Sequence, residues 1–265
     1  MVEEPGSQVL FLNDARELAI SESSGRSPGN QVVLYGGGVA RGLSSPAVKQ
    51  DALLISGNAA QTGPATARVT ISDSQGESKG TVTLTQRAMD IADYCGYGAA
   101  GKSAVSGDIS DELLEVGVTS FLLYENTNTG DRFFGFFHDA YDPGAGHGGT
   151  IHWDISGIPD TAATVVEDDP DHNQDVYDFA NNTITHQWSD PNTDGVAIGT
   201  DADGSVNDAP SSGFSPSTLD GVTVTFDVSE YSGGDPPTNV RFIGDDGTTV
   251  ERAYDGTNTT VEITF

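Results

Sequence analysis

Lysine is nearly absent from this chain, cysteine occurs once, and no long apolar run exists; each shortage excludes a class of protein. The 265 residues hold 11 basic side chains, and only Lys49, Lys79 and Lys102 are lysines. Binding a nucleic-acid backbone requires clustered Lys and Arg, so nucleic acid is not an expected partner, and an anionic membrane surface is disfavoured on the same ground. The single cysteine, Cys95, forbids an intramolecular disulfide and reads as a small buried apolar side chain. No stretch approaches the roughly 18 apolar residues of a spanning helix, so no membrane insertion is expected. The opening MVEEPGSQ carries neither the basic region nor the apolar core of a secretory signal.

What the chain has in excess is carboxylate. There are 40 acidic residues, with 28 Asp against 12 Glu, and the net charge is -29. Acidic chains poor in aromatics tend to be disordered, but this one has 21 aromatic residues and apolar, strand-like runs throughout. At molar salt the Debye length falls to about 3 Å, so repulsion between carboxylates is screened while they keep the surface hydrated. In composition the whole chain resembles proteins of extremely halophilic archaea and their viruses.

The charge is unevenly distributed. Residues 1–105 carry 10 acids and 8 bases, a net of -2, whereas residues 106–265 carry 30 acids and 3 bases, a net of -27. A free-standing domain in brine needs an acidic coat all round. The near-neutral part therefore reads as a domain covered by other protein, and the acidic part as an exposed one.

Short segments rich in Val, Ile, Leu and Thr recur between Gly, Ser and Pro turns: QVLFL, ELAIS, QVVLYGG, ALLIS, ARVTIS and GTVTLTQ. Several alternate at period two, and no helical crossovers separate them. After residue 117 the strand signals return with VTSFLLYEN and RFFGFFHDAY, joined by the hairpin turn TNTGD, and some eight strands follow. The expected class is all-β. Two antiparallel sandwich or barrel domains are expected, at 1–105 and 106–265, the second with jelly-roll character. The run DISDELLEVG, ending at Gly117, predicts a short linker helix.

GYGAAGKS (Gly96–Ser103) satisfies the phosphate-loop pattern G-x-x-x-x-G-K-[ST]. A working loop succeeds a buried apolar strand and opens a long helix. Here AMDIADYC precedes it and Gly107 breaks the segment after Lys102, so the match reads as an ordinary loop. No G-x-S-x-G occurs for serine hydrolysis. The five histidines are His138, His147, His152, His172 and His186; His138, His147 and His152 fit no metal-site spacing closely, and paired carboxylates are too many to be informative.

The oxygen-rich run VEDDPDHNQD (Val166–Asp175), with the Asp–Gly turn of SDPNTDG, suits a hard cation that takes six to eight oxygens. Glu167, Asp168, Asp169, Asp171 and Asp194 are its expected ligands, for calcium or another structural cation; no cofactor is required. Asn181 and Asn258 head two glycosylation sequons in the acidic part.

These readings converge on a non-enzymatic structural protein. The expectation is a virion component such as a capsid turret, spike or tail protein, on the particle exterior, homo-oligomeric through its N-terminal domain. Its partners would be other virion proteins and a host surface. A secreted cell-surface or filament protein with calcium-stabilised loops is the alternative, and a glycan-active or metal-dependent hydrolase the third.

Overall fold

The computed structural model describes the strand residues 8–12, 18–21, 32–35 and 52–55, and then residues 64–96, 113–138, 149–167, 175–188, 194–200, 206 and 209–265. The chain divides into two compact units, Met1–Gly63 and Pro64–Phe265. In the first, β1 (Gln8–Leu12), β2 (Leu18–Ser21), β3 (Val32–Tyr35) and β4 (Ala52–Ile55) form one sheet in the order β2-β1-β3-β4.

The second unit begins with β5 (Thr66–Asp73), β6 (Gly76–Thr83), β7 (Thr85–Arg87) and α1 (Ile91–Cys95). It continues through β8 (Val118–Asn126), β9 (Arg132–His138), β10 (Gly149–Ser156), β11 (Ala162–Glu167), β12 (Val176–Asp178), β13 (Thr183–Trp188) and β14 (Asp194–Thr200). A turn of helix, α2 (Pro216–Leu219), then precedes β15 (Thr223–Ser232), β16 (Asn239–Ile243), β17 (Thr249–Ala253) and β18 (Thr260–Thr264).

These strands form two seven-stranded sheets. One has the order β12-β13-β10-β15-β18-β5-β6; the other runs β11-β14-β9-β8-β16-β17, with β7 added alongside β8. β5 and β6 pair into the first of these through β18, so strands on the near-neutral side of Val105 belong to the acidic unit. Antiparallel pairing dominates, but the all-antiparallel expectation needs correction: β1/β3, β8/β16 and β7/β8 are parallel. Each parallel pair has a long connection between its members, as parallel pairing requires.

The sheets face one another across a single core. Phe121 and Phe136 from one sheet meet Trp153 and Phe226 from the other, with ring centroids 5.4 to 6.1 Å apart. Alternation decides who faces in: on β9, Phe134 and Phe136 join this core, while Phe133 and Phe137 point the opposite way. That opposite face is covered too. α1 lays Ile91, Tyr94 and Cys95 against Leu122, Tyr124, Phe133 and Phe137, with Leu113 beside them. Burial on both faces is why β8 and β9 read as continuous apolar runs rather than alternating ones.

α1 bears on the start of the phosphate-loop match, whose residues 97–103 lie outside the described residues. The residues before Gly96 are a helix, not a strand, and Gly96 ends it in the left-handed conformation (φ 67°), its N–H bonded to Ala92 O at 2.8 Å. A helix C-terminus presents carbonyls, the wrong polarity for phosphate. Cys95 is buried as expected, and burial pushes its thiol far up, which keeps it neutral and inert.

Asp90, out of place in an apolar segment, is the N-cap of α1. Its carboxylate accepts from Ala92 N at 3.0 Å, Ser211 N at 2.8 Å and Ser211 Oγ at 2.6 Å. Asp90→Ala removes a cap and a tie to the 211 segment together. The expected cost is about 2 kcal/mol, read as a lower urea midpoint; an unchanged midpoint would show that the cap carries nothing. Of the predicted linker helix only residues 113–117 are described: Leu113 is in a 3-10 turn, and Val116–Gly117 form a turn where the helix was expected to end. The start of that run lies outside the described residues.

Candidate metal centre

Two connections carry the chain between the sheets at one end of the second unit: β11 to β12, and β13 to β14. Their flanking residues bring Glu167 (end of β11), Asp175 (just before β12) and Asp194 (start of β14) to the same end. His186 joins them from β13, in phase with the inward-facing Ile184 and Trp188.

Asp175, His186 and Asp194 each offer a ligand atom, and these atoms lie within 4.8 Å of one another. His186 Nε2 stands 3.1 Å from Asp194 Oδ1 and 3.5 Å from Asp175 Oδ2. The site is buried: the three side chains are 0%, 8% and 7% exposed for His186, Asp194 and Asp175. Asp175 is held from outside the trio, its Oδ1 accepting from Gln187 N at 2.7 Å and its Oδ2 from Tyr177 Oη at 3.2 Å.

Aromatic rings wall the pocket. Phe136 sets its edge against His186 at 5.1 Å, and Trp188 stacks on His138 at 4.3 Å. His138 pairs in register with Asp194, and its ring lies 4.9 Å from that of His186. Its Nδ1 is 2.7 Å from Thr119 Oγ1; its Nε2 is buried with no hydrogen-bond partner among the described residues. Burial, and then His186, hold the His138 imidazole well below its usual range, so it is neutral at pH 7.

Glu167 feels the same surroundings. Burial first, then the charge of Asp175, raise its carboxyl to about 7, with Asp194 adding to the rise and His186 opposing it. The Tyr177 hydroxyl is raised by burial and by Asp175, Asp194 and Glu167, and stays protonated to donate to Asp175.

Of the expected cation ligands, the structure thus brings Glu167 and Asp194 to one place; Asp168, Asp169 and Asp171 lie outside the described residues. Asp175 and His186 were not singled out as ligands from the sequence. The signal for His186 was present: a histidine in the inward phase of an alternating strand, between Ile184 and Trp188. The grouping of His138 with His152 does not form. His152 faces the other side of its sheet, with Nδ1 2.8 Å from Thr185 Oγ1, and His147 lies outside the described residues. Both sequon asparagines are exposed. Asn181 Nδ2 donates to Asp178 Oδ2 at 2.7 Å, and Asn258 Nδ2 to Asp255 O at 3.3 Å.

The chain matches no protein-family model, no curated protein and no solved structure.

Proposed function

We propose that this chain is a non-enzymatic structural protein of a halophilic archaeal virus particle, assembling as a homo-oligomer through its N-terminal unit and exposing its acidic second unit. One observation carries the reading: nearly all of the net charge lies in the second compact unit. Met1–Gly63 holds 6 acids and 4 bases, a net of -2; Pro64–Phe265 holds 34 acids and 7 bases, a net of -27. The near-neutral stretch also includes residues 64–105, with 4 acids and 4 bases. In this proposal the covered surface therefore extends to β6, the last strand of its sheet among the described residues, whose outer edge suits pairing or packing against a neighbouring copy.

The finer architecture belongs to the same reading. Two domains divide the work, and the second is a β-sandwich whose open end, with its acidic connections, faces brine or a host surface. The mass of the full chain in about 3 M KCl, where surface carboxylates are screened, tests the proposal by light scattering. A discrete oligomer is expected. A monomer at every concentration would overturn assembly through the N-terminal unit and favour the secreted cell-surface alternative.

A further inference from the structure

We propose that Asp175, His186 and Asp194 bind one divalent transition-metal ion of the zinc class, which staples together the two connections that cross between the sheets. This goes beyond the structural role proposed above and does not depend on it.

The geometry fits such an ion. Two ligands on a tetrahedral zinc at about 2.0–2.1 Å from the metal stand about 3.3 Å apart. The spacings from His186 Nε2, 3.1 and 3.5 Å, bracket that value. The ligands come from the start of β12, the inward face of β13 and the start of β14, so one ion fixes three chain positions at the end of the unit. Asp175 is oriented by Gln187 N and Tyr177 Oη, the kind of outer hydrogen bonding that aims a ligand at its metal.

A second observation lies beside the same cluster. His138 Nε2 is fully buried beside His186 and opposite Asp194, with no hydrogen-bond partner among the described residues. His138 Nδ1 shares a hydrogen bond with Thr119 Oγ1; in the tautomer in which Nδ1–H is the donor, Nε2 keeps a bare lone pair, as a metal-ligating imidazole does.

The donor set decides the class of ion. Calcium takes six to eight oxygens and gains little from a buried imidazole; imidazole with carboxylates suits zinc and its neighbours. The proposed site is smaller and contains nitrogen, and it shares only Asp194 with the calcium ligands expected from the sequence, of which Asp168, Asp169 and Asp171 lie outside the described residues. The same distances would arise if a protonated His186 were shared by the two carboxylates. The test separates these cases.

The full chain, stripped with a chelator and held in about 3 M KCl with millimolar calcium as competitor, is titrated with zinc. One tightly held zinc per chain is expected, with the melting temperature rising by about 5–10 °C at hundredfold excess over Kd. His186→Gln and Asp194→Asn should weaken binding by about hundredfold or more and abolish the rise. Cobalt(II) bound by the unaltered chain reads the coordination directly, whether or not those variants fold, and a four-coordinate spectrum is expected. Zinc displaced by calcium, variants that bind as the unaltered chain does, or a six-coordinate cobalt spectrum would each overturn the proposal. Melting indifferent to zinc, with no ion retained, would overturn it too and leave the protonated His186 as the correct account.

Discussion

Trp153→Ala lowers the stability of the second unit by about 3–5 kcal/mol, a large part of the 5–15 kcal/mol typical of a domain. Trp153 is fully buried on β10 at the centre of the core between the sheets. Its ring meets Phe121 at 6.0 Å, Phe136 at 5.7 Å and Phe226 at 6.2 Å. Truncation forfeits transfer energy and ring contacts from both sheets and leaves a cavity that neighbouring strands cannot close. Trp153→Phe costs clearly less, because Trp153 Nε1 has no hydrogen-bond partner among the described residues to lose. Urea unfolding at constant high salt, followed by near-ultraviolet circular dichroism, reads both. A cost below about 1 kcal/mol for the alanine variant would mean that the sheets do not pack across this ring.

Gly135→Ala is the second large effect, from the opposite cause. Gly135 pairs with Ala197 where β9 and β14 lie side by side. A Cβ there overlaps the Val196 carbonyl oxygen and comes 2.8 Å from Ala197 Cα, so backbone and not a yielding side chain must move. Overpacking of this kind costs about 1–3 kcal/mol, and the rigid neighbour places the expected value at the top of that range. β9 ends in His138 and β14 begins at Asp194, so the same substitution also displaces the proposed metal site and weakens zinc binding. Gly130→Ala, in the turn between β8 and β9, is the contrast. Its φ of 79° is unfavourable for alanine, but nothing lies within 4 Å of the added carbon, so only the backbone penalty of about 1–2 kcal/mol applies. Equal losses for the two variants would contradict the close approach of β9 to β14.

Strand content was legible from the sequence because each strand is written by local chemistry. ARVTIS alternates, and β5 buries Ala67, Val69 and Ile71 in that phase. TNTGD turns β8 into β9, with Gly130 in the left-handed region. Pairing across long sequence distances was not legible. Nothing near β5 announces that it joins β18, because the partner is chosen by the shared core and not by flanking residues. α1 was missed for a related reason: five residues give too short a window for helical periodicity, and Asp90 and Asp93 masked the buried set Ile91, Ala92, Tyr94 and Cys95.

The site was half legible. Carboxylate density pointed to the β11–β12 connection and to the segment leading into β14, at whose ends Glu167 and Asp194 lie. Density alone does not distinguish a hydrated acidic loop from a ligand set, and in a chain with 40 acids it points nearly everywhere. His186 carries the distinction, through burial at 0% exposure beside two carboxylates, which only the packing of β13 against β9 creates.

Assembly through the near-neutral unit is the central claim, and hydrogen exchange of the full chain in about 3 M KCl, compared peptide by peptide at low and high protein concentration, tests it most directly. Peptides within residues 1–63 should exchange more slowly as concentration rises, while those from 106–265 stay unchanged. Exchange independent of concentration throughout, or protection gained only by the acidic strands, would contradict it.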